Sequence, residues 1–149
     1  MKFELKHLAL EATPRALEKA ERYRLLNEPF EAESICLDAL AREPENQDAL
    51  KMLLLAMADQ FGKGDSPATI TEARKVVTRF RDEYDRLYYT GIICERRAKA
   101  RLQDAGRAFD LLREAMSWYE KAEAIRPPGN DDAVLRWNTC ARLIMRDLA

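Results

Sequence analysis

Residues 14–44 read PRALEKAERYRLLNEPFEAESICLDALAREP, and two helices follow from that stretch alone. Thr13 is a capping residue type, and Pro14 stands at the first helical position, where its missing N–H does no harm. Ala16, Ala20, Tyr23 and Leu26 then recur at helical spacing. Asn27-Glu28-Pro29 breaks the chain. A second apolar stripe runs through Ala32, Ile35, Cys36, Ala39 and Leu40 until Pro44 stops it.

Working outward, Asn46 opens a third helix carrying Leu50, Leu53, Leu54 and Met57 and ending at Gly62. Ser66-Pro67 opens a fourth, over about 67–83, with Ile70, Ala73, Val77 and Phe80. A fifth spans about 85–103 through Leu87, Gly91, Cys94, Ala98 and Leu102. Gly106 turns the chain into a sixth, about 107–125, with Leu111, Ala115, Tyr119 and Ala122. Pro127-Pro128-Gly129 is the strongest break, and Asn130 or Asp131 caps a seventh helix through Val134, Trp137, Ala141 and Ile144. Composition agrees. The 149 residues include 22 Ala, 19 Leu, 17 Arg and 15 Glu, against only 15 Val, Ile and Thr together, so an extended sheet is nearly excluded. The reading predicts an all-α chain of seven helices joined by short turns.

Residues 14–44 resemble one unit of the tetratricopeptide repeat (TPR) superfamily, in the manner of a small bacterial-type member. The residues that carry the likeness are Ala20, Tyr23, Ala32, Cys36, Ala39 and Pro44. The pattern recurs in Ala115, Tyr119 and Ala122 ending at Pro127, and more loosely in Leu50, Leu53, Met57, Ala73 and Val77. Gly91 stands where the family's first-helix glycine would be. The second unit carries about seven extra residues before Ala73 and the third about twelve before Ala115, and neither first helix opens with the family's tryptophan. The resemblance implies a single domain over 1–149: an antiparallel helix-pair solenoid with repeats at about 13–46, 47–83 and 84–127, closed by a capping helix at 130–148.

Charge and chemistry narrow the function. The net charge is −1, too near neutral for a generally basic nucleic-acid binder, but residues 86–113 hold 7 basic against 3 acidic side chains. An anion-recognising patch there is weighed against a solvated Arg-rich face. Nucleic-acid binding through 96–107 is a distant third reading, which raised salt would test. Cys36, Cys94 and Cys140 lie 58 and 46 residues apart and His7 is the sole histidine, so neither a zinc site nor a disulfide framework is expected. No G-x-S-x-G elbow occurs among the three serines. Gly62-Lys63-Gly64-Asp65-Ser66 is similar to a phosphate loop but lacks the preceding strand and the required spacing. His7 and Glu11, if helical, would lie one turn apart. The chain is expected to be non-enzymatic, without cofactor or metal, and cytoplasmic, since no apolar run approaches a membrane span.

A binding role has firmer physical support. The repeat resemblance implies a concave surface lined by Lys51 and Leu55, by Tyr88, Ile92, Glu95, Arg96 and Lys99, and by Leu135, Thr139 and Arg142. Aromatic, aliphatic and Arg side chains together suit capture of a protein or peptide segment, here one of acidic character. The chaperone-tail clamp of some family members is disfavoured, because its Lys and Asn positions hold Leu17, Glu21 and Met52 here. The alternative is a self-associating scaffold. The last helix has a second apolar stripe at Leu143 and Met145, off the line of Val134, Trp137, Ala141 and Ile144, and a homodimer would bury it.

Overall fold

The computed structural model describes residues 1–64 and 67–148, with only the backbone at Pro67 and Ala68. Among these residues the chain is helical without a strand. The helices are α1 (Thr13–Leu25), α2 (Pro29–Arg42), α3 (Gln47–Ala58), α4 (Pro67–Val77), α5 (Glu83–Lys99), α6 (Ala105–Ala124) and α7 (Asp132–Leu143). A 3₁₀ turn, Leu10–Ala12, leads into α1, and a π-helical segment, Ile144–Leu148, follows α7. The chain divides into two compact units, Met1–Gln60 and Phe61–Ala149. That division falls inside the span 47–83, which the repeat reading takes as one helix pair.

In the first unit α1 packs on α2 and α2 on α3. Ala20, Ala32 and Ala39 are fully buried, and such small side chains let helices approach closely. Leu50, Leu53 and Leu54 supply the larger core groups, each worth roughly 1.5–3 kcal/mol on burial. Asn27 adopts φ +61° after α1. Glu28 N–H donates to Tyr23 O at 2.8 Å and Asn27 N–H to Arg24 O at 3.0 Å. This is a Schellman closure, with Asn accepting the left-handed position usually given to glycine. Asn46 caps α3 by accepting from Ala49 N–H at 3.0 Å. Arg24 pairs with Asp59 through two bonds of 2.6 and 3.2 Å, tying the end of α1 to the residue after α3.

Three expectations change here. Thr13 does not cap α1; it is the first helical residue, and its hydroxyl donates to Leu10 O at 3.1 Å within the preceding 3₁₀ turn. The third helix stops at Ala58 rather than Gly62, whose positive φ of +81° lies in the turn beyond. His7 lies in irregular chain before the 3₁₀ turn, so it and Glu11 are not a helical pair.

In the second unit α5 packs against both α4 and α6, and α6 also packs against α7 and the π-helical segment. The Ser66 start of α4 lies outside the described residues. The helix ends at Val77, short of residue 83. Val76, Val77 and Thr78 are β-branched in succession, and Thr78 Oγ1 donates to Lys75 O at 2.6 Å, competing with helix continuation. Phe80, 2% exposed, then anchors the turn with its ring 5.0 Å from that of Tyr89. Asp104 caps α6 through Arg107 N–H at 3.2 Å. At α7 the side chain of Asn130 accepts from Asp132 N–H at 3.0 Å. Among the described residues no helix is long and apolar enough to cross a membrane.

Candidate functional site

Residue 91 decides how α5 meets α6. A Cβ placed on Gly91 would stand 2.5 Å from Cε1 of Tyr119, so glycine there leaves room for the ring. Tyr119 is 1% exposed and reaches past Gly91 to the next turn of α5. Its hydroxyl donates to Oε1 of Glu95 at 2.8 Å. Glu95 is fully buried. On Oε2 it accepts Lys99 Nζ at 2.7 Å, one turn along α5, and Arg136 Nη1 at 3.3 Å from α7. Cys140 Sγ, one turn beyond Arg136, lies 3.6 Å from Oε1. Three helices therefore converge on one carboxylate.

Burial alone would raise the Glu95 pKa, but Lys99, Arg136 and the Tyr119 hydroxyl outweigh it and hold the group below its ordinary value. Burial works against the charged form of Arg136, but Glu95 together with the hydroxyls of Tyr88 and Tyr119 outweighs it and raises the Arg136 pKa. Burial pushes the Tyr88 hydroxyl up. Its ring lies 5.8 Å from Tyr84 and 5.7 Å from Tyr119, extending the buried aromatic layer along α5. Two cations meet one carboxylate here, so positive charge is left over at the surface above it.

Lys99 also lines a groove of about 510 Å³ together with Thr139, Arg142, Leu143 and Arg146. Three of the residues singled out from sequence, Lys99, Thr139 and Arg142, thus meet in one place. Leu143 joins them as a half-buried apolar wall, so this part of the second stripe faces the groove. Arg146 is held by Asp147 through bonds of 2.7 and 2.8 Å. The π-helical segment begins at Ile144, just past Leu143. Its wider turn shifts the register of the side chains that follow.

The other singled-out residues stand elsewhere. Ile92 is only 1% exposed and belongs to the core, where it offers no surface to a partner. Glu95, expected on the concave surface, is the buried centre described above. Tyr88 and Arg96 are half-buried on α5; Leu135 and Met145 are exposed. Lys51 and Leu55 are half-buried on α3 of the first unit.

The chain matches no known protein family, no curated protein and no solved structure. Its function therefore rests on its own geometry. Sequence reasoning missed Arg136, Tyr119 and Glu95 as a unit. The available signal was the Glu95–Lys99 spacing of four on a helix whose apolar stripe also runs through Gly91 and Cys94. Among the described residues no group of three or more His, Cys, Asp or Glu comes together to hold a metal ion. Burial pushes the thiols of Cys36, Cys94 and Cys140 up to about 12, leaving them protonated and poorly nucleophilic at neutral pH.

Proposed function

We propose that this chain is a non-catalytic, cytoplasmic protein-interaction module of tetratricopeptide-like helix pairs that binds an acidic protein segment in the groove lined by Lys99 and Arg142. The observation that carries the reading is the pairing of Lys99 and Arg142 with Leu143 and Thr139 around one groove. Cations beside an apolar wall suit a segment with Asp or Glu flanking an aliphatic side chain. The small residues buried where α1 meets α2 and α5 meets α6 are in keeping with the helix-pair register. The test is selection from a displayed peptide library on the parent protein, counter-selected on Arg142→Glu with Arg146→Glu. Enriched peptides should carry acidic residues beside an aliphatic one and bind the double variant at least about tenfold more weakly, with circular dichroism unchanged. Equal enrichment on both proteins would remove the groove from the proposal.

A second reading is a self-associating scaffold. Leu135 and Met145 are 62% and 67% exposed, which leaves apolar surface on the terminal segment available to a second copy. Light scattering at micromolar concentration should then show dimer mass in the parent and monomer mass after Leu135→Glu with Met145→Glu. Monomer mass in the parent would reject this reading.

A further inference from the structure

The basic surplus within 86–113 gathers at a second place in the same unit, the end of α5. Cations in a last helical turn complement the helix dipole, and Arg96, Arg97 and Lys99 all stand there. Arg97 is different. It lines a cavity of about 210 Å³ together with Gly62, Ile70, Ala100, Arg101 and Gln103. Its Nε is shielded from solvent and has no hydrogen-bond partner among the described residues. A shielded guanidinium N–H without an acceptor is costly, and a bound water, an ion or a ligand is what completes such a group.

The surroundings are strongly positive. Beyond the effect of burial, Arg74 and Arg107 are close enough to push the Arg97 pKa down by like-charge repulsion. Glu114 opposes them, with the Cys94 thiol beside it. Asp104, next to Gln103, spends its carboxylate on Arg107 N–H at the start of α6. Arg74 and Arg107 thus crowd Arg97 with like charge, and among the described residues Glu114 is the carboxylate that acts against them. The turn at Gly62, φ +81°, lies so close to α5 that a Cβ there would stand 2.8 Å from Cβ of Ala100. Backbone, an amide side chain and guanidinium forks are therefore gathered around a small, polar space.

We propose that the Arg97 cavity binds a dianionic phosphate group, with Arg97 and Arg101 as charged donors and the Gln103 amide as a neutral one. A tetrahedral phosphate presents oxygens to several donors at once, which suits two guanidinium groups and an amide around one small space better than a planar carboxylate does. The site is separate from the groove at Arg142 and stands whether or not that groove binds peptide.

The test is calorimetric titration of the intact protein with inorganic phosphate at constant ionic strength. Saturable one-site binding is expected, weakened at least about tenfold by Arg97→Gln and by Arg101→Gln, and unchanged by Arg142→Gln. Arg101 is exposed, so its variant keeps the test open if Arg97→Gln does not fold. A parallel titration with phosphoserine amide separates the sources. Tighter binding than inorganic phosphate marks an esterified phosphate as the ligand, and weaker binding marks free phosphate. Absence of saturable heat up to on the order of 10 mM phosphate, or parent-like binding by Arg101→Gln, would overturn the site.

Discussion

Glu95→Ala is expected to lower the stability of the parent protein by about 3 kcal/mol in urea unfolding. The carboxylate is fully buried and holds the Tyr119 hydroxyl, Lys99 and Arg136 at 2.8, 2.7 and 3.3 Å. Removing it strands the Tyr119 hydroxyl in the core, where an unmet donor costs about 1–3 kcal/mol. Lys99 and Arg136 keep about a third of their side-chain surface in water, so they can resolvate, which sets the loss at the lower end of the range for broken buried pairs. The pH dependence has a definite sign. Because the folded pKa lies below the ordinary 4.5, the contribution is fully present above about pH 4.5 and is lost as pH falls through the lower folded value. Glu95→Gln should therefore show a flatter acid limb than the parent. A loss under about 1 kcal/mol in Glu95→Ala, with parent-like acid sensitivity in Glu95→Gln, would show that the network does not hold the three helices.

How much of this was legible depends on whether a residue's partner lies near it in sequence. The span Pro29–Arg42 was readable because Pro29 and Pro44 bracket one clean stripe. Asn46 was readable because a cap acts within three residues. Thr13 is the exception: its partner, Leu10 O, is equally near, but no residue of Leu10–Ala12 announces the turn that engages its hydroxyl first. α5 was legible only in outline. One stripe was expected, yet residues Gly91 through Glu95 are buried without a break, because α5 is covered by α4 on one side and α6 on another. Such all-round burial moves Ile92 and Glu95 off the surface that the repeat resemblance assigns them. Lys99, Thr139 and Arg142 line one groove. Their meeting needs only that α7 follows α6 back along α5. The unpartnered Nε of Arg97 left no sequence signature, since it is defined by what fails to reach it.

Gly91→Ala should destabilise the protein by about 2 kcal/mol, although alanine is the better helix former. Two effects oppose each other. Intrinsic propensity favours alanine over glycine inside a helix by about 1 kcal/mol. Against it, the new methyl would lie 2.5, 2.8 and 3.0 Å from Cε1, Cδ1 and Cζ of Tyr119. A flexible neighbour would yield, but this ring is held at both ends. Its hydroxyl is fixed on buried Glu95, and its face lies 5.7 Å from Tyr88. Overpacking against a fixed ring costs about 1–3 kcal/mol, with distances this short placing it at the top of that range, so repulsion wins. The sign should reverse once the ring is gone. In a Tyr119→Leu background the methyl meets no ring, and Gly91→Ala should then stabilise by about 0.5–1 kcal/mol, leaving only the propensity term. The two positions would thus couple by about 2–3 kcal/mol in a double-mutant cycle read by urea unfolding. If Gly91→Ala stabilises the parent protein as it does the Tyr119→Leu variant, the ring does not occupy the space that glycine leaves, and the close approach of α5 to α6 has another cause.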